Sequence, residues 1–103
     1  MTAEPFLCST SLTSSPLFWS VYVLTSLAHP DKIYIGLTTA SMDKRLAEHN
    51  TGGTAYTRQY RPWQLATCTA FADAATARAF ERYLKSGSGF RWLKAHFLPV
   101  QPT

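Results

Sequence analysis

A lone carboxylate, an arginine–histidine pair and two tyrosines are the residues whose types and spacing point to chemistry in this chain. Glu81 lies in a helical pattern whose apolar stripe is marked by Ala77, Phe80 and Leu84, and it falls four residues after Ala77 on that same stripe. A carboxylate there is costly unless it is paired or bound to metal. Arg78, Arg82 and Lys85 surround it as pairing partners, and at a partly open site its oxygens would suit a hard divalent ion such as magnesium. Arg45 and His49 are four residues apart, so they project from one helix face. An arginine fork binds phosphate bidentately, and a neighbouring imidazole orients or moves a proton. The same pair also reads as a solvated helix end, with His49 satisfying terminal carbonyls. Tyr22 and Tyr34 come from neighbouring strand-like runs. A phenol has a reference pKa of about 10, so it needs a nearby cation or metal-bound water to act as a base at neutral pH. Arg45 and a metal on Glu81 would supply that field if the fold gathers them.

Other segments carry weaker signals. The run from Tyr56 to Trp63 interleaves aromatic residues with Arg58 and Arg61, which suits base stacking and phosphate contact. It reads equally as a loop that Trp63 anchors to the next strand. Lys85-Ser86-Gly87-Ser88-Gly89 lacks phosphate-loop spacing and follows no strand, so it is a helix-to-helix turn. No Ser-His-Asp arrangement or dinucleotide fingerprint is present. His29, His49 and His96 lack zinc-ligand spacing.

These residues need a scaffold, and the periodicity predicts one. Alternation over Phe18 to Thr25 gives a first strand, and the turn through His29-Pro30-Asp31 leads to a second at Lys32 to Leu37. The short connection favours an antiparallel hairpin. Tyr34 and Gly36 share a face of the second strand, where a residue without a side chain leaves the sheet open to an approaching group. A helix over about Ser41 to His49, a loop over Thr51 to Arg61 and a third strand over Gln64 to Phe71 follow. Asp73 caps a second helix, about Ala74 to Lys85, that Gly87 ends, and a third runs from about Phe90 to Phe97. The order ββαβαα describes an α+β domain: a three-stranded antiparallel sheet flanked by helices.

The 103 residues, 46% hydrophobic and 14% aromatic, suffice for one domain with a core. Residues 1–16 read as a flexible leader without a periodic pattern, 17–98 as the domain and 99–103 as a tail. Two cysteines, Cys8 and Cys68, exclude a disulfide-rich scaffold and are expected to be free thiols in a reducing cytosol. The longest apolar run is too short to span a bilayer, so a cytoplasmic protein is expected. Residues 1–31 carry only Glu4 and Asp31, whereas all ten cations lie beyond them. A basic body of this kind suits a polyanionic partner.

Taken in order, Val21-Tyr22-Val23, Tyr34-Ile35-Gly36, Arg45 with His49-Asn50 and Gly52, Pro62-Trp63 and Glu81 resemble the GIY-YIG nuclease family, in its small single-domain form. The resemblance covers roughly residues 18–97. It departs from the pattern at Ser20 and Val21, which stand for the glycine and isoleucine of the first half-motif, and no asparagine follows Glu81. The resemblance implies metal-dependent hydrolysis of DNA phosphodiesters, in DNA repair or processing. It implies that Tyr22 orients or deprotonates the attacking water, Tyr34 supports it, Arg45 neutralises the scissile phosphate and His49 assists proton transfer. Glu81 would hold a single divalent ion, Mg2+ or Mn2+, and Gly36 would keep the sheet open to the phosphate. Arg58, Arg61, Arg78, Arg82, Lys85, Arg91 and Lys94 are the candidate DNA-backbone contacts. With little surface left for specificity, a protein partner or a homo-oligomer is expected to supply targeting. The alternative is a nucleic-acid-binding module of the same fold with weak or no catalysis.

Overall fold

A computed structural model describes residues 18–98 of the chain. The leader, with Cys8, and the tail lie outside the described residues. Strand β1 (Trp19–Ser26) forms the centre of an antiparallel sheet, with β2 (Ile33–Thr38) on one side and β3 (Trp63–Phe71) on the other. The β1–β2 hairpin closes where the Ser26 N–H donates to the Lys32 carbonyl at 3.1 Å. The register sets Tyr22 opposite Gly36 on one side and Cys68 on the other. Pairing with β3 shifts between Val23 and Leu24, the kind of irregularity that locally bends a strand.

The alternation in β1 sorts its side chains between two layers. Val21 and Val23 face a cluster with Ile35 and with Ala77, Leu84 and Leu93, from α3 (Ala74–Lys85) and α4 (Gly87–His96). Tyr22 and Leu24 face a second cluster with Trp63 and with Met42, the first residue of α1 (Met42–Thr51). Both faces of the central strand are therefore covered, and full burial of each such aliphatic side chain is worth about 1.5–3 kcal/mol. Short polar residues start the helices: Ser41 Oγ accepts from the Lys44 N–H at 3.3 Å, and Asp73 Oδ2 from the Thr76 N–H at 2.7 Å.

Three local features differ from the sequence reading. The stretch read as a loop contains a five-residue helix, α2 (Ala55–Gln59). Thr54 and Thr57 each accept from the other's N–H, at 3.3 and 3.0 Å. This is a capping box whose third position is threonine rather than Glu or Gln. Helix α4 begins at Gly87, because Ser86 supplies the cap by accepting from the Gly89 N–H at 3.1 Å. Gly87 thus opens a helix instead of following one, and the two helices meet at a tight corner where a Cβ on Gly89 would overlap the Tyr83 carbonyl. Finally, Cys68 is held in a disulfide, which corrects the expected free thiol. Disulfide pairing depends on the approach of two residues in space, which spacing along the chain does not report. Among the described residues no helix is long and apolar enough to cross a membrane.

Candidate active site

The layer under α1 gathers four of the five residues singled out as catalytic. Tyr22 stands on the central strand with no exposed surface, and its hydroxyl lies 2.9 Å from His49 Nε2. Arg45 Nε donates to that same hydroxyl at 3.1 Å. Tyr34, one strand over, brings its ring centroid to 4.7 Å from that of His49 and 6.1 Å from that of Tyr22. One turn of α1 separates Arg45 from His49, so the helix places guanidinium and imidazole together on the phenol. Solvent meets this cluster at Arg45 and Tyr34, which are half-buried, while Tyr22 and His49 lie behind them.

The electrostatics follow from burial. Removal from water pushes the Tyr22 phenol up to about 12, against the pull of the Arg45 hydrogen bond, so it is protonated at neutral pH. Burial, reinforced by the Arg45 charge, holds the His49 imidazole below its ordinary value, so it is neutral there. Among the described residues His49 Nδ1 is buried without a hydrogen-bond partner. That favours the neutral ring in the resting site, because the charged form has two N–H groups to satisfy.

Gly36 plays a different part from the one expected. A Cβ there would overlap the Tyr22 ring and hydroxyl. The space over the glycine is therefore filled by tyrosine, not left open for a phosphate. Absence of a side chain at the position opposite Tyr22 lets the phenol fold flat across β2 toward His49.

Three residues that the sequence reading assigned no catalytic role complete the scaffold. Glu48 Oε1 accepts from Arg45 Nη1 at 2.7 Å, while Lys44 lies 3.4 Å from its other oxygen. The Arg45 hydrogen bond holds the Glu48 carboxyl below the usual range. Asn50 joins α1 to β3 twice, donating to the Trp63 carbonyl at 3.1 Å and accepting from the Trp63 N–H at 2.6 Å. Thr57, fully buried, offers its carbonyl to the Trp63 indole N–H at 2.7 Å. Asn50 was visible as a landmark, but Glu48 reads in sequence as an ordinary helix-surface partner of Lys44.

Glu81 stands on α3, on the helical stripe that packs against the opposite layer. Its side chain keeps 21% of its surface and pairs with Lys85, Nζ to Oε2, at 3.0 Å. Among the described residues no group of three or more His, Cys, Asp or Glu side chains is placed to hold a metal. The fit for magnesium is therefore to a single carboxylate, the mode in which the ion keeps several waters and takes other ligands from substrate phosphate. Lys85 competes for that carboxylate.

The candidate backbone contacts divide between the layers. Arg58 and Arg61 lie near α2 and the start of β3, both exposed, with Arg58 Nη1 donating to the Gly52 carbonyl at 3.1 Å. Arg78, Arg82, Lys85, Arg91 and Lys94 lie on α3 and α4, where Arg78 sits 5.4 Å from the Trp19 ring centroid and Lys94 5.2 Å from that of Phe90. Trp63 is buried, as an anchor of β3, while Tyr56 remains exposed and donates to the Ile33 carbonyl at 3.2 Å.

The three-stranded α+β domain thus sets a tyrosine–histidine pair beneath an arginine. Residues 18–94 match the family model of the GIY-YIG catalytic domain, and the chain belongs to the GIY-YIG family. This is a nuclease-type family, and its catalytic domain accounts for nearly all the described residues. Comparison with curated proteins gives no match.

Proposed function

We propose that the protein is a divalent-metal-dependent endonuclease that hydrolyses DNA phosphodiester bonds. The observation that carries this reading is the convergence of Arg45 Nε and His49 Nε2 on the single hydroxyl of Tyr22. In the proposed reaction Arg45 turns from Glu48 to the scissile phosphate, exchanging one anion for another and uncovering the phenol. Tyr22, protonated in the resting site, passes its proton to the neutral His49 as it takes one from the attacking water. The relay avoids a free phenolate, which the buried site disfavours. Tyr34 packs on His49 and keeps the imidazole aimed at Tyr22. Arg45 then offsets the charge that builds on the phosphate. Glu81 is the carboxylate proposed to hold Mg2+ or Mn2+, which when bound supplies Lewis-acid stabilisation of a phosphoryl oxygen.

The Glu81–Lys85 ion pair favours one further reading: a nucleic-acid-binding module of the same fold in which the carboxylate stays engaged and cleavage is weak. Nicking of supercoiled plasmid with magnesium or manganese, against EDTA and Glu81→Ala controls, separates the two. The nuclease reading expects metal-dependent nicking that Glu81→Ala loses while DNA binding persists. Binding without nicking in the wild-type protein supports the module. A role in DNA repair or processing is a further part of the proposal, with the family resemblance as its support, and a targeting partner another, since so small a domain leaves little surface for specificity. The Cys68 disulfide withdraws the support that free thiols gave to a reducing cytoplasm.

A further inference from the structure

The excess positive charge of the molecule is concentrated on two helices. Helices α3 and α4 carry five cations against Glu81 alone, a net +4 that equals the net charge of the whole chain. The other five cations are balanced by the other five carboxylates. The buried residues of these helices, Ala77, Leu84 and Leu93, pack on the sheet layer opposite the one that holds Tyr22. On the same hairpin Tyr83 keeps 42% of its surface exposed. Its ring lies 6.4 Å from that of half-buried Trp92, which in turn stacks on His96 at 4.9 Å and 27°. An exposed arginine adjoins each of the two rings in the chain, Arg82 beside Tyr83 and Arg91 beside Trp92.

We propose that the α3–α4 hairpin, which also carries Glu81, is a DNA-contact face where Tyr83, backed by Trp92, stacks on an unpaired base while neighbouring cations hold the backbone. The inference rests on nucleic acid being the substrate, and it deepens that reading by specifying a strand with unpaired bases. Duplex bases already stack on one another and present only edges and phosphates, so an exposed ring gains little from them. Single-stranded bases offer an open π-face, and positive charge beside aromatic rings is the combination that binds them without sequence preference. The cations alone would serve any polyanion; the exposed tyrosine selects the unpaired strand.

The test measures affinity of the full chain for an oligo-dT single strand and for a duplex of equal length, by fluorescence anisotropy in EDTA. No cleavage enters this readout, so its outcome is separate from that of the plasmid assay, and a protein that fails to nick can still pass it. Tyr83→Ala is expected to lower the preference for the single strand by about five-fold or more, the scale of one lost base–aromatic stack. Tyr83→Phe, which keeps the ring, is expected to retain that preference. Tyr83 is exposed, so neither substitution disturbs the core. An unchanged preference in Tyr83→Ala, equal losses in the Ala and Phe proteins, or no single-strand binding by the wild type would each overturn the proposal.

Discussion

Tyr22 is held by two hydrogen-bonding neighbours and by the bare backbone of Gly36. Removing its hydroxyl leaves the ring in place, so Tyr22→Phe is expected to fold, at a stability cost of about 1–3 kcal/mol for the buried groups left unpaired. Denaturant unfolding measures that cost. Gly36→Ala is the more disruptive change, because its Cβ requires the phenol to move; a loss of about 1–3 kcal/mol is expected from thermal unfolding, with nicking reduced as Tyr22 leaves His49. His49 carries a pH signature. Its folded-state pKa lies below the unfolded value of about 6.5. The unfolded chain therefore binds more protons between the two values, and stability rises with pH across that window. The contribution is present above the unfolded value and is lost as pH falls through the folded one. The unfolding midpoint is expected to drop on acidification in the wild type and to drop less in His49→Gln. If His49 accepts the proton from Tyr22, nicking loses activity over the same acid limb.

Helix α1 places the site, and the spacing along it made much of the site legible. Arg45 and His49, a helical turn apart, identify a shared face from sequence alone, and the alternation in β1 separates Tyr22 from Val21 and Val23. Glu81–Lys85 pairing was also readable, as one of three local partners at helical distance. What the sequence could not convey was non-local. Nothing in the spacing shows which way the Tyr22 ring lies, so Gly36 reads as an open surface when it is a bed for the phenol. The Thr54–Thr57 cap escapes the usual signature, and Ser86 ends one helix while starting the next, which shifted the expected beginning of α4. Asn50 shows what the long-range ties are worth: its two hydrogen bonds to Trp63 fix α1 against β3. Asn50→Ala is expected to lower stability by about 1–3 kcal/mol, since it strands a buried backbone group, and thermal unfolding would reveal it.

For the whole molecule, the sheet separates two surfaces of different character. One presents a polar cluster around a buried phenol; the other presents the helices that hold the excess charge. Long-range attraction of a polyanion then falls mainly to α3 and α4, and Arg82→Ala is expected to reduce the slope of log affinity against log salt by about one. A shallower salt dependence without a change in base preference is what a backbone contact gives. The fold class followed from composition and periodicity because a small chain with three strands and amphipathic helices has few ways to cover its sheet. The side of the sheet on which each helix packs emerged only when the burial of each helix was known. The central claim is that Tyr22 is the proton-handling group of a phosphodiester hydrolase, and plasmid nicking by Tyr22→Phe beside the wild type tests it most directly. The account predicts metal-dependent nicking by the wild type, slowed about 100-fold or more in Tyr22→Phe with DNA binding retained. Equal nicking by the two proteins would contradict it.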